Sequence, residues 1–140
     1  VKKVIIFLLI ALSIPVHALT TYEIASKLTG CPVEILYGIA FAESTGNQWA
    51  IGDDGISLGR FQINEKYHAE RARLYGEYNP FDPLATAILT GRLYIDNLRT
   101  LGTRDRAIAA HRQGCTGVKK NGVDKEYVSR VLNYPRGLFY

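Results

Sequence analysis

Apolar positions recur along this chain at helical spacing, and polar residues mark where each helix starts and stops. Thr20-Thr21 can cap a first helix over about Tyr22–Leu28, closed by Gly30. Cys31-Pro32 opens a second, with Pro in the first turn, where its missing N–H costs nothing. Val33, Leu36, Ile39, Ala40 and Glu43 share one face of that helix, and Ser44-Thr45-Gly46 ends it. A loop follows from Asn47 to about Leu58, with Gly52-Asp53-Asp54-Gly55 as the turn at its tip. Asn64–Tyr75 reads as an exposed helix rich in Glu, Lys and Arg that stops at Gly76. Asp82-Pro83 then supplies an N-cap and a Pro at the first helical position. In the helix it starts, Leu84, Ile88, Gly91, Ile95 and Leu98 form the most regular apolar stripe in the sequence. That stripe is expected to be the core spine, with Gly91 letting another backbone approach closely. Thr103 caps a helix over about Arg104–Arg112 that ends at Gln113-Gly114. Asp124 caps the last one, which bears Tyr127, Val128, Val131 and Leu132 and stops before Pro135.

No segment sustains a period of two between hairpin turns. The pattern predicts an all-α, mainly helical fold in one domain, with room for a small β-ribbon around residues 50–63. A composition of 47% hydrophobic and 21% charged residues, without repeats, excludes a disordered or fibrous chain.

The N-terminal pattern is of another kind. Lys2-Lys3, the apolar run Val4–Leu12, and the small residues Val16 and Ala18 at −3 and −1 describe a secretory signal peptide, residues 1–18. The run is too short to span a bilayer, which takes about 20 residues. Cleavage after Ala18 leaves 122 residues (140 less 18), numbered 19–140, and no stable membrane insertion. It also removes two lysines, so the net charge falls from +4 to +2. The remaining domain lacks the Lys/Arg-dense stripe of a nucleic-acid binder. The protein is expected to be exported, periplasmic or extracellular, and monomeric.

Export changes the reading of Cys31 and Cys115: an even cysteine count in an oxidising compartment favours a disulfide, with two free thiols as the alternative. The Cys and His residues have no metal-ligand spacing, so no metal or cofactor is expected.

Glu43 is the candidate for chemistry. It follows Leu36, Ile39 and Ala40 at seven, four and three residues, so its carboxylate emerges on the apolar face at a helix C-terminus. Desolvation and the negative end of the helix dipole both disfavour a charge there, as suits a general acid. Asp53 and Asp54 lie ten and eleven residues further on. Either is a possible second carboxylate if the loop carries it to about 5–9 Å from Glu43; otherwise Asp53-Asp54-Gly55 is only a turn.

The residues after Glu43 read Glu-Ser-x-x-Asn-x-x-Ala, then Gly-x-Ser-x-Gly-x-Phe-Gln-Ile-Asn from Gly55 to Asn64. This resembles the signature of the soluble lytic transglycosylase family, relatives of goose-type lysozyme that cut bacterial cell-wall glycan. Pro83–Gly102 is similar to the family's long central helix, Ala107–Gly114 to its Ala-Tyr-Asn-x-Gly segment, and Glu126–Leu132 to its terminal Tyr-Val helix. The resemblance runs from about Thr21 to Tyr134. It implies a lysozyme-like fold and Glu43 as the single acid/base, with no second carboxylate and no cofactor. Ser44 would orient that carboxylate or touch the sugar, Asn47 and Gln62 would contact substrate, and Tyr127 would steer the Glu43 proton. Three positions depart from the family. His111 replaces its Tyr and Arg112 its Asn, and His111 would take over the phenol's hydrogen bond. Arg60 stands where an aliphatic residue is common, and would meet the acidic stem peptide or the lactyl group of muramic acid.

The implied activity is lytic transglycosylation of peptidoglycan glycan strands. The setting would be a secretion, conjugation or pilus apparatus, general wall turnover, or phage-encoded wall breakdown. A hydrolytic muramidase using Glu43 with Asp53 or Asp54 is the alternative within the class. A non-catalytic wall-binding or assembly protein is the alternative outside it.

Overall fold

The structure is a computed structural model and describes residues 18–66 and 78–139. The signal peptide expected over 1–18 lies outside the described residues up to residue 17, as does the helix expected over 64–75 from residue 67 onward. Five α-helices and a small antiparallel sheet make up the described part. Among the described residues no helix is long and apolar enough to cross a membrane.

Helix α1 (Thr21–Thr29) begins with a capping box: Thr20 Oγ1 accepts from the Glu23 N–H, and Glu23 Oε2 accepts from the Thr20 N–H at 2.7 Å. Helix α2 (Val33–Ser44) starts from Pro32 at the N-cap and ends where Thr45 turns left-handed at φ 54°. Its buried residues are consecutive, Ile35 through Ala40, so it is covered on every side. Gly38 makes that possible, because a Cβ there would collide with the Val131 carbonyl oxygen of the last helix.

Three two-residue strands follow: β1 (Ile51–Gly52), β2 (Ser57–Leu58) and β3 (Ile63–Asn64). They pair antiparallel in sequence order, with Ile51 opposite Leu58 and Ser57 opposite Asn64. The expected ribbon is therefore present.

Helix α3 (Pro83–Leu101) is capped by Asp82, which accepts from the Ala85 N–H at 2.7 Å. Its buried face is not the expected stripe. Gly91 of that stripe is buried, together with Thr86, Ala87, Leu89, Thr90, Tyr94 and Leu101, whereas Ile88, Ile95 and Leu98 pack half-buried on the shoulder. Small side chains let α1 come close on this face: a Cβ on Gly91 would run into the Thr29 side chain. The close neighbour of Gly91 is thus a side chain. Helix α2 is the core spine.

Helix α4 (Arg104–Asn121) is capped by Thr103 and broken at Gly114, where φ 70° and ψ 161° leave the helical region. The break comes where the sequence predicts an end, but the chain resumes helical form and buries Val118. Helix α5 (Lys125–Leu132) is capped by Asp124 and buries Tyr127, Val128 and Val131. α3 packs on α1 and α4, and α5 closes against α2.

The cysteines do not pair, which corrects the disulfide expectation. Cys31 is buried at the α1–α2 junction with its thiol on the Pro32 carbonyl, while Cys115 points its thiol at Asn97 Oδ1, 3.2 Å away. Burial first, then the Glu34 charge, pushes the Cys31 thiol up to about 12. It is an inert core residue.

Candidate active site

A cleft of about 690 Å³ opens between the end of α2, the ribbon, and the middle of α4. That volume suits a ligand of several sugar-sized units more than a single ion. Glu43, Asp53, Gln62 and His111 all line it, so four positions singled out in the sequence meet on one surface.

Glu43 sits in the last turn of α2, half-buried. Its Oε1 accepts a hydrogen bond of 2.6 Å from the Tyr127 hydroxyl, joining positions 84 residues apart. Tyr127 is only 1% exposed, so its phenol reaches the carboxylate from behind. Burial pushes the Tyr127 hydroxyl well above its usual range, and the Glu43 charge and hydrogen bond add to the effect; Arg112 and Arg130 oppose it. The phenol accordingly stays protonated, and a donor, throughout neutral pH. With Oε1 held from below, Oε2 is left for whatever enters the cleft.

The segment after Glu43 is bolted down by residues that the resemblance assigns to substrate. Ser44 Oγ donates to the Arg60 carbonyl at 2.6 Å, away from the Glu43 carboxylate. Arg60 Nε donates to the Gly46 carbonyl, and its guanidinium lies 5.0 Å from the Tyr22 ring centroid. Asn47 Oδ1 accepts from the Trp49 N–H in a local turn and does not line the cleft. Gln62 Nε2 donates to the carbonyls of Gly59 and Ala50 at 2.9 and 3.2 Å, which ties the ribbon to its own loop. His111 Nε2 donates to the Phe61 carbonyl at 2.8 Å, linking α4 to the ribbon. A carbonyl can only accept, so Nε2 carries a hydrogen.

Backbone strain collects in the same segment. Thr45, Asp53, Asp54 and Gln62 are the non-glycine residues with positive φ among the described residues, at 54°, 50°, 55° and 45°. Such conformations cost about 1–3 kcal/mol each and persist where the surroundings impose them. Here they aim Asp53 into the cleft, where its Oδ2 accepts from Ser57 Oγ at 2.5 Å. Asp54 does not line the cleft. The structure thus separates two neighbouring carboxylates that the sequence leaves equivalent.

Arg130, Asn97, Ser57 and Thr116 also line the cleft with no role expected from the sequence, and so do Cys115, expected only as a disulfide partner, and Arg112. Only the replacement at Arg112 hinted at one of them. Set beside known proteins, the chain matches no family model, no curated protein and no solved structure.

Proposed function

We propose that this chain is an exported lytic transglycosylase with a lysozyme-like fold. It would cleave the β-1,4 bond between N-acetylmuramic acid and N-acetylglucosamine in peptidoglycan. The observation that carries the reading is the Tyr127 hydroxyl donating to Glu43 Oε1 at 2.6 Å beside a cleft of about 690 Å³. The reading also rests on the motif resemblance around Glu43 and on the N-terminal export pattern.

Glu43 does the acid and base work in turn. Its protonated Oε2 gives a proton to the glycosidic oxygen as the bond to the muramoyl anomeric carbon breaks, releasing the N-acetylglucosamine hydroxyl. The electron-poor anomeric carbon is then attacked by the muramoyl C6 hydroxyl, whose proton returns to Glu43. The product carries a 1,6-anhydro end and the enzyme is restored. Tyr127 holds the carboxylate in one orientation through both transfers, which is a positioning contribution. No cofactor takes part in these steps.

Asp53 favours a second reading, because it is another carboxylate on the same cleft. A hydrolytic muramidase would use it to activate water or to attack the sugar. Mass spectrometry of digested sacculi separates the two. Anhydromuramic ends that disappear in Glu43→Gln, with kcat down about 10²–10⁴-fold, support the transglycosylase. Reducing ends alone, lost in Asp53→Asn, would establish the muramidase. Release of neither product by the wild-type chain would leave a wall-binding or assembly role.

A further inference from the structure

Two arginines stand beside the Glu43–Tyr127 pair without a role in the chemistry above. Arg112 leaves α4 just ahead of the Gly114 break, and Arg130 leaves α5 one turn after Tyr127. Their guanidinium carbons lie 5.7 and 5.8 Å from the centroid of the Tyr127 ring, and both side chains line the cleft. The ring therefore acts as a platform that holds two cations next to the reacting carboxylate.

Neither cation is spent inside the protein. Among the described residues Asp124 is the one carboxylate within 4 Å of either guanidinium, and its contact with Arg112 Nη1 is long, at 3.9 Å. The carboxylates of the cleft itself, Glu43 and Asp53, take hydroxyl donors from Tyr127 and Ser57 and form no ion pair with either arginine among the described residues. A cleft that carries two positioned, nearly unpaired arginines beside its acid is built to receive negative charge. Arg60 was the expected anion binder, but it donates to the Gly46 carbonyl and packs on Tyr22. The charge at the cleft comes instead from α4 and α5.

We infer that Arg112 and Arg130 are specificity-determining residues that bind a substrate carboxylate, so that the cleft selects acidic glycan over neutral glycan of the same backbone. This rests on the cell-wall reading above. Cell-wall glycan offers such carboxylates from two sources, the lactyl group of unsubstituted muramic acid and the stem peptide attached to it.

The test uses the full chain carrying Glu43→Gln, so that ligand is bound but not cut. Three soluble tetrasaccharides are titrated by calorimetry at low and high salt: chitotetraose, a denuded muramic-acid glycan, and the same glycan bearing stem peptides. At least one acidic ligand is expected to bind about tenfold more tightly than chitotetraose, with the advantage shrinking as salt rises. Adding Arg112→Gln and Arg130→Gln together should abolish the advantage, and Arg→Lys at both positions should restore part of it. Tighter binding of the denuded glycan assigns the lactyl carboxylate, and preference for the peptide-bearing one alone assigns the stem. Equal binding of neutral and acidic ligands overturns the inference while leaving the cell-wall reading intact, as does a preference that survives the double substitution. Binding of none of the three overturns the cell-wall reading and the inference with it. A melting scan of each variant identifies any that fails to fold; in that event the single substitutions decide.

Discussion

Tyr127→Phe removes one oxygen atom and separates a positioning role from a packing role. The ring is 1% exposed and its substitution by Phe keeps nearly all of its buried surface. What disappears is the 2.6 Å bond to Glu43 Oε1. A hydrogen bond to a charged group contributes about 1.5–3 kcal/mol when both partners are sealed from water. Glu43 is half-buried and lines the cleft, so its carboxylate can turn to water there and the stability loss should fall to about 1 kcal/mol. For a domain of this size that is a fall in Tm of roughly 3–6 °C. The kinetic loss should be larger than the stability loss. An unanchored carboxylate that strays by about 1 Å can cost up to 10²-fold, so kcat for release of anhydromuropeptides should fall about 10–10²-fold. KM should hardly move, because the phenol lies behind the acid and does not line the cleft. Initial rates by liquid chromatography with mass detection, and Tm by circular dichroism, give both numbers on one preparation. A variant that melts a few degrees lower yet keeps kcat within twofold of wild type would refute the positioning argument and reduce Tyr127 to core filling.

Two further outcomes follow from contacts that differ from their expected roles. Ser44→Ala should lower stability by about 1–2 kcal/mol, since it deprives the Arg60 carbonyl of its 2.6 Å donor, while kcat stays within about threefold of wild type; a large kcat loss at unchanged Tm would restore the expected contact with substrate. Stability should also fall on the alkaline side, because burial raises the Cys31 thiol and the Tyr22 phenol to about 12 each and lifts the Tyr94 and Tyr127 phenols too. The unfolded chain loses these protons first, from about pH 9 for the thiol and 10 for the phenols, so folding weakens as pH rises from there toward 12, by up to about 1.4 kcal/mol per pH unit per group. Tm should therefore drop between pH 8 and 10.5, less steeply between 9 and 10 in Cys31→Ala; a flat profile would show these groups titrating alike in both states.

Helix starts were legible because capping is local. Thr20, Asp82, Thr103 and Asp124 each bond the N–H of the third residue of the helix they begin, and nothing distant decides that. Of the face of α3 only Gly91 was legible, because hydrophobicity ranks Leu84, Ile88, Ile95 and Leu98 above Ala87 and Thr90. Packing buried these small residues, and at Gly91 a side chain would meet Thr29 of α1. The helical segment after Gly114 was missed for a related reason. A single buried residue, Val118, is all the periodicity it offers. The fate of Cys31 and Cys115 depended on separation in space, which no count of cysteines contains.

The site divides along the same line. Glu43 was legible from its place on an apolar face, Asp53 and Gln62 from the loop that follows it, and His111 from its place at the family's Tyr. What each does was not, because a sequence names the residues of a loop without saying which way they point. Ser44, Arg60, Gln62 and His111 each donate to a backbone carbonyl, and three of those acceptors lie in the 59–61 stretch. Four polar side chains that look like substrate contacts are therefore holding a loop whose backbone is strained at Asp53, Asp54 and Gln62. The consequence bears on recognition. If the motif residues are committed to the scaffold, discrimination between substrates has to come from side chains the loop does not consume. The cationic ones on this cleft are Arg112 and Arg130, on helices that begin 61 and 82 residues after Glu43 (104 and 125 less 43), and both lie against the ring of Tyr127, which is folded beneath the acid.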